Sequence, residues 1–459
     1  MKKVFVFIFL FAFCAEAQEA SSDTSVVNIK HENIFLTLVS WPFVHIIQPT
    51  VEFLIYPVIP PLIYVSRGDI IDKGANLITY GEKKHIMFYP IINASMGNSA
   101  NIGFSYWHKE LFLDNDNVFI SPHHYINGDW DAAMRYKKGK ILGTSFYSRF
   151  GANHREYGNS SFRNSKGVKY SFADSSILLN SGFGFNLYGG WNIEFSASGN
   201  FNRFDVPSII EDTTINMNDV YVSNRGFYRN FESYPLSLSL SYNSLDEPYS
   251  ATRGNKISFS YSYVPISSYS DTRDHNYHVA ESRFVNYLLL GSKGYAMTVA
   301  ESNANREKLM NLSFSEAIDM LNPINVKEVI FDRRVLITQL KARYMIEDHK
   351  GKAPFLAMST LGGNFPLRAY TDGYFSGAIV AGFSNEYRWP IDRYADMLIF
   401  NEYGVYSDDY GHLLSFSLRN SYGFGFRVRT SRFFISRFSL AFHGLRGVSV
   451  ILTTRPEYD

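Results

Sequence analysis

Apolar and polar residues alternate along much of this chain, and this period of two restricts its fold more than any other feature. Between Ser415 and Val428, most positions of one parity are aromatic or aliphatic, and the other parity carries mainly Ser, Gly and Arg. The pattern recurs in Ala378–Trp389, Pro235–Tyr242 and Lys256–Val264. Because successive side chains of a strand point to opposite faces, each segment predicts a β-strand with one apolar and one polar face.

The composition decides between two architectures that both show this alternation. In a soluble sandwich the polar face meets water and is rich in Lys, Glu and Thr, whereas a membrane barrel turns its apolar face to lipid. Here 17% of the residues are aromatic, only 19% are charged, and the mean hydropathy is −0.14. Small polar residues opposite aromatic ones favour the barrel. The 44 Lys and Arg residues balance the 43 Asp and Glu residues, which argues against a nucleic-acid partner.

The length of the alternating region sets the number of strands. We assign residues 87–459 to an outer-membrane barrel, and at about 23 residues per strand and connection this region holds about sixteen antiparallel strands. Asn153–Lys169 and Glu211–Phe231 are polar and are predicted as loops. Residues 303–333 contain a helical pattern at Ser313–Leu321 and are predicted as a loop insertion.

The N-terminus predicts export. Lys2 and Lys3 precede an apolar run from Val4 to Ala15, and Ala15-Glu16-Ala17 resembles a signal-peptidase cleavage site. We therefore assign residues 1–17 to a signal peptide. Cys14, the only cysteine, lies within it, so no disulfide is expected in the mature chain.

Residues 18–86 form a separate segment on the periplasmic or interfacial side in this interpretation. Ile34–Val65 is apolar, contains no Lys or Arg, and is divided by five prolines. Since proline interrupts helices, a continuous membrane span is not expected. The sequence predicts a short apolar helical segment, which either lies at a membrane interface or packs against a larger body.

A glycine-rich segment with one arginine, residues 361–373, is the most informative motif. It reads LGGNFPLRAYTDG and lies between two predicted strands. Further motifs surround it in order: a P-x-x-x-T-R-G turn ending at Gly254, an E-x-R-x-P strand end from Glu386 to Pro390, and the sequence FNEYG from Phe400 to Gly404.

With these motifs in this order, the chain resembles the barrel domain of the BamA/TamA family of outer-membrane assembly and translocation proteins. In that family a loop G-G-x-x-x-[VL]-R-G-[FY] folds back into the barrel, and its Arg contacts an acidic residue of a strand motif F-x-[DE]-x-G. The loop motif falls on Gly362, Gly363, Leu367, Arg368 and Tyr370. The strand motif falls on Phe400, Glu402 and Gly404. Glu386 and Arg388 are candidates for supporting charges in the lumen.

The chain also departs from the family pattern. Ala369 stands where the family has Gly, and Glu402 replaces the commoner Asp. The C-terminus ends in Pro-Glu-Tyr-Asp instead of an aromatic residue. Family members usually carry POTRA domains before the barrel, and residues 18–86 are too few and too apolar to predict one.

The side-chain inventory predicts neither an enzyme nor a metal protein. It contains no phosphate loop and no G-x-S-x-G, and its Ser, His and Asp residues match no known catalytic order. His123 and His124 are adjacent, so on a strand they point to opposite faces and cannot chelate together. The aspartates at 114, 116, 129 and 131 lack the regular spacing of a calcium loop. No cofactor is expected.

The resemblance implies a function in inserting or translocating proteins, or lipids, at the bacterial outer membrane. Its suggested mechanism is a weak seam between the first and last strands that admits client strands by edge pairing. The expected partners are outer-membrane lipids, unfolded outer-membrane or secreted proteins, and a separate periplasmic protein. The alternative is a passive, porin-like or structural barrel without assembly activity.

Overall fold

The computed structural model describes most of the barrel region and two parts of the N-terminal segment. The described residues are 41–55, 79–80, 85–95, 98–141, 145–163, 169–204, 208–209, 230–246, 251–268, 276–290, 334–348, 357–363, 366–392, 395–407, 418–429, 434–444 and 447–454. The predicted signal peptide and the helical pattern at Ser313–Leu321 lie outside them.

Sixteen antiparallel strands form one closed sheet. In chain order, β1 to β16 are Ile86–Ser95, Asn98–Lys109, Asp116–Tyr125, Trp130–Lys138, Phe146–Arg163, Lys169–Asn186, Trp191–Phe204, Asn230–Ser233 with Leu236–Asn243, Gly254–Val264 with Ile266–Ser268, Tyr277–Leu289, Val335–Glu347, Ile379–Asp392, Ala395–Ser407, Arg419–Arg429, Phe434–His443 and Gly447–Thr453. Each strand pairs with the next, and β16 pairs with β1. The predicted all-β barrel of about sixteen strands is confirmed.

Two of the strands are interrupted by proline. Pro235 divides β8, and Pro265 divides β9. Because proline has no backbone N–H, it removes one donor from the ladder at each position. Both strands resume in register with their neighbours, so the sheet remains continuous.

The alternation in the sequence corresponds to the two faces of the barrel wall. On β8, Leu236, Leu238 and Leu240 are 55%, 42% and 39% exposed, and the serines between them point to the interior. A closed sheet pairs the backbone of every strand with two neighbours, which a hydrocarbon environment requires. The apolar outer wall and the polar inner wall therefore agree with a transmembrane barrel.

The sequence-based prediction of a loop at Asn153–Lys169 is wrong. Strand β5 continues to Arg163 and β6 begins at Lys169, with register pairs such as Tyr157 with Asp174. The prediction failed because it relied on polar composition. Strands pair through their backbone groups, so a strand that extends beyond the lipid needs no apolar face there. The predicted loop Glu211–Phe231 is wrong at its end, since Asn230 and Phe231 belong to β8. Residues 211–229 lie outside the described part.

Because the number of antiparallel strands is even, the start of β1 and the end of β16 lie at the same end of the barrel. We call this the terminal end. The connection between β11 and β12 lies at the opposite end. Before β1, the described residues form a short π-helix, Phe43–Ile47, an α-helix, Gln48–Ile55, and a two-residue strand, Thr79–Tyr80. Within the described part of the chain, none of the helices has the length and hydropathy needed to cross a membrane.

Candidate functional site

The described part of the connection between β11 and β12, residues 357–363 and 366–378, folds into the barrel. Ser359–Leu361 pairs with Phe375–Gly377 as a small antiparallel ribbon, and the turn between these two segments carries the glycine-rich motif. Leu361, Leu367, Arg368 and Ala369 at this turn are each at most 6% exposed. We call residues 361–373 the inner loop; residues 364–365 are outside the described part.

Positive φ angles shape the tip of the inner loop. Gly362 and Gly363 have φ of 117° and 83°, values that L side chains rarely adopt. A Cβ atom on Gly362 would lie 2.1 Å from the carbonyl oxygen of Thr371. Leu367 has a φ of 75° without being glycine, a strained conformation that its full burial holds in place.

Arg368 connects the inner loop to the barrel wall. Its backbone N–H donates to Glu402 Oε2 at 2.7 Å, and its Nε lies 2.7 Å from Glu402 Oε1. Its Nη1 donates to Glu386 Oε2 at 2.8 Å, and the guanidinium lies 4.0 Å from the centroid of the Phe400 ring. Arg368 is 3% exposed, and both carboxylates are fully buried. One cation thus joins two acidic side chains on β12 and β13.

Further polar residues complete this buried cluster. Glu386 also accepts hydrogen bonds from Arg388 Nε and Arg437 Nη2. Ser421 on β14 accepts a hydrogen bond from the backbone N–H of Ala369 at 3.0 Å. Removing one partner from such a network leaves another charge buried without compensation, which is costly. The cluster therefore ties the inner loop to four consecutive strands, β12 to β15.

Two glycines on the barrel wall make room for the inner loop. A Cβ on Gly382 would lie 2.1 Å from Cγ of Pro366, and one on Gly404 would lie 2.8 Å from Cδ1 of Leu367. Tyr370 stacks on His443 with ring centroids 4.5 Å apart. Burial raises the pKa of the Tyr370 hydroxyl. The loop is thus packed tightly as well as charge-paired.

The structure brings the residues singled out by the sequence motifs into one place. Gly362, Gly363, Leu367, Arg368 and Tyr370 form the inner loop, and Phe400, Glu402 and Gly404 face it from β13. Glu386 and Arg388 lie beside them on β12, as part of the same cluster. Sequence analysis assigned no role to Ser421 and Arg437. The alternation along β14 and β15 indicates that both side chains point into the barrel, but no local motif indicated that they reach this loop.

A second polar network lies on the inner wall of β2 to β5. Ser121 Oγ is 3.0 Å from His123 Nε2, His123 Nδ1 is hydrogen-bonded to Asp131, and Ser105 Oγ is 3.0 Å from Ser121 Oγ. Sequence analysis missed this Ser-His-Asp arrangement, which the pairing of His123 with Asp131 across two strands creates. Ser121 is only 3% exposed and its hydroxyl is already hydrogen-bonded, so the geometry favours a structural network. His124 is exposed on the outer face.

Within the described ranges, no group of three or more His, Cys, Asp or Glu side chains is arranged to hold a metal ion.

The barrel closes through a narrow seam between β1 and β16. The described residues show two register pairs there, Ala94 with Leu452 and Ser95 with Ile451. By comparison, β15 and β16 share seven register pairs. Within the described residues, the backbone ladder at the seam is therefore shorter than the ladder between β15 and β16.

Other contacts occupy the rest of this edge of β1. Thr79 and Tyr80 pair with its first two residues, on the edge that β2 leaves free. Toward the opposite end, Thr453 Oγ1 donates to Asn93 Oδ1 at 2.9 Å. The backbone N–H of Ile92 donates to Thr454 Oγ1 at 3.1 Å. Side-chain hydrogen bonds thus supplement the two described register pairs of the seam.

Comparison with known proteins identifies the fold. No protein-family model and no curated protein sequence matches this chain. Its fold is similar to that of BamA from Haemophilus ducreyi lacking POTRA domains 1–3, with a TM-score of 0.54 and 13% sequence identity over 80% of this chain and 70% of that chain. This similarity shows that the chain has a BamA-like barrel fold, as the motifs predicted.

Two further solved structures match less closely. CdiB from Escherichia coli and CdiB from Acinetobacter baumannii each align with a TM-score of 0.47 and 10% identity. Each alignment covers 80% of this chain, which spans 62% and 60% of the two CdiB chains.

Proposed function

We propose that this protein is an outer-membrane barrel that assists the insertion or translocation of proteins, or of lipids, across its seam. The observation that carries the proposal is the short ladder between β1 and β16, for which the described residues show two register pairs. An exposed strand edge is a template on which another strand adds by backbone hydrogen bonding. A short ladder lowers the free-energy cost of exposing that edge.

The buried cluster around Arg368 supports this proposal by holding another part of the wall together. It joins the inner loop to β12, β13, β14 and β15, so these strands are linked by side chains as well as by their ladders. When the seam opens, the cluster keeps this side of the barrel in place. In this proposal Arg368 and Glu402 are positioning residues.

The partners follow from this mechanism. The clients are unfolded outer-membrane or secreted proteins whose edge strands pair with β1, and a separate periplasmic protein delivers them. The barrel itself lies in the bacterial outer membrane, with lipid against its apolar wall.

A disulfide across the seam tests the proposal. With Cys14→Ser as background, Ala94→Cys combined with Leu452→Cys places thiols at directly paired positions. We expect the oxidised variant to lose assembly activity and the reduced variant to regain it. The readout is the level of folded outer-membrane proteins after depletion of the wild-type chain. Ser239→Cys with Ser260→Cys, a register pair of β8 and β9, is the matched control.

Full activity of the seam-locked, oxidised protein would contradict the proposal. The depletion phenotype also distinguishes the passive alternative. Loss of many outer-membrane proteins supports an assembly function, whereas loss of uptake of a single solute indicates a porin-like barrel.

A further inference from the structure

One part of the outer wall is buried, unlike the rest of the apolar belt. Tyr387 and Trp389 alternate with the inward-facing Glu386 and Arg388 on β12, so they point outward. They are 1% and 0% exposed. Phe183 and Leu238, on the outer wall elsewhere, are 46% and 42% exposed. This part of the wall is therefore not available to lipid.

The helical residues before the barrel cover this wall. Phe43 packs on Tyr387 with ring centroids 5.0 Å apart, and the Tyr387 hydroxyl donates to Gln48 Oε1 at 3.2 Å. Val51 also packs against the buried cluster that contains Tyr387 and Trp389. Gln48 is 4% exposed, so its polar side chain is placed between the helix and the wall.

Among the described side chains, the exposed face of the same helical residues is largely apolar, and the exposed Thr50 hydroxyl donates to the carbonyl oxygen of Ile46. Trp41 and Ile46 are each 53% exposed. The whole stretch 34–65 contains no Lys or Arg, and Glu52 is its only acidic residue. An apolar surface facing water would be unfavourable, whereas here it continues the apolar outer wall on which the helix lies.

We propose that residues 41–55 form a lipid-embedded helical flap, which replaces lipid on the wall of β12 and β13 and presents Trp41 and Ile46 to the acyl chains. At 1.5 Å per residue these fifteen residues reach about 22 Å, less than the roughly 30 Å hydrocarbon core, so the flap lies along the wall without spanning the bilayer. The flap lies toward the terminal end of the barrel. Ile391, Ala395 and Met397, beside the β12–β13 turn at that end, belong to the hydrophobic cluster of Tyr387 and Trp389 on which the flap packs. This inference is independent of the proposed assembly function.

Lipid quenching tests the flap in the full-length protein. In a Cys14→Ser background, Ile46→Cys is labelled with the fluorophore NBD, and the protein is reconstituted in phosphatidylcholine vesicles with or without doxyl-labelled lipid. Leu238→Cys on the outer wall of β8 is the lipid-facing control, and Arg253→Cys in the exposed β8–β9 turn is the water-facing control. Thr50→Cys is a second flap position, for use if Ile46→Cys does not fold.

The flap predicts that NBD at position 46 is quenched by doxyl lipid to within twofold of the Leu238→Cys control and is protected from aqueous iodide. Quenching by iodide as strong as at Arg253→Cys would overturn the proposal, because the helix face would then be in water. Protection from both quenchers would also overturn it, since another protein surface would then cover the helix.

Discussion

Arg368 and Glu402 are joined twice, once through the backbone and once through the side chain. The Arg368 N–H donates to Glu402 Oε2, and the Arg368 Nε lies beside Oε1, each at 2.7 Å. One carboxylate therefore fixes both the position of the loop backbone and the direction of the guanidinium.

Replacing Arg368 is expected to release the inner loop while the barrel stays closed. Arg368→Ala leaves Glu402 buried without its cation, and breaking a buried pair in this way costs about 3–5 kcal/mol. We expect cleavage within residues 361–373 to be at least about 100-fold faster than in the wild type. Limited proteolysis with mass spectrometry measures this. Arg253→Ala, at an exposed turn, is the control, and an unchanged cleavage rate in Arg368→Ala would refute the role of the pair.

Removing both Arg368 and Glu402 is expected to release the inner loop no more than removing Arg368 alone. In Arg368→Ala/Glu402→Ala the uncompensated charge on Glu402 is absent, so the effects on loop release should fall short of additivity by about 1–3 kcal/mol. A double-mutant cycle on the proteolysis rates gives this coupling energy. Strictly additive effects would show that the two side chains act independently.

Adding one methyl group to the wall is expected to displace the inner loop. In Gly382→Ala the new Cβ would overlap Pro366, and such overpacking typically costs about 1–3 kcal/mol. Faster proteolysis of the loop is the expected result. Gly199→Ala on β7, whose Cβ would meet only the Phe201 ring, at 3.4 Å or more, provides the comparison. Equal rates of loop proteolysis in the two variants would mean that close packing on the wall does not hold the loop.

The polar network on β3 is expected to stabilise the barrel. His123→Ala leaves the buried hydroxyl of Ser121 and the partly buried carboxylate of Asp131 with one partner fewer, at a cost of about 1–3 kcal/mol. The temperature at which the folded form shifts to the unfolded form in gel electrophoresis should fall. His124→Ala removes an adjacent but outward-facing side chain and should leave this temperature unchanged. A larger effect at His124 would contradict the assignment of the two faces.

Local sequence signals were sufficient to predict a strand and its two faces where these depend only on the residues of that strand. The alternation in Pro235–Tyr242 and Lys256–Val264 predicted two strands that the structure contains. The same reasoning failed at Asn153–Arg163, because these polar residues are paired through the backbone, and pairing has no signature in side-chain polarity. The E-x-R-x-P motif placed Glu386 and Arg388 on one face, yet it carried no information that Arg437, far along the chain, shares the same carboxylate.

The sequence by itself determined the class of this protein, since a period of two with an aromatic face and a small polar face is compatible with few architectures other than a membrane barrel. It also determined the inner-loop motif, because two adjacent glycines and a single arginine between apolar residues are visible in the local sequence. Only the tertiary structure decided which strands meet at the seam, which side chains surround Arg368, and that residues 41–55 lie on the outer wall. These depend on the closure of sixteen strands, which brings together residues hundreds of positions apart.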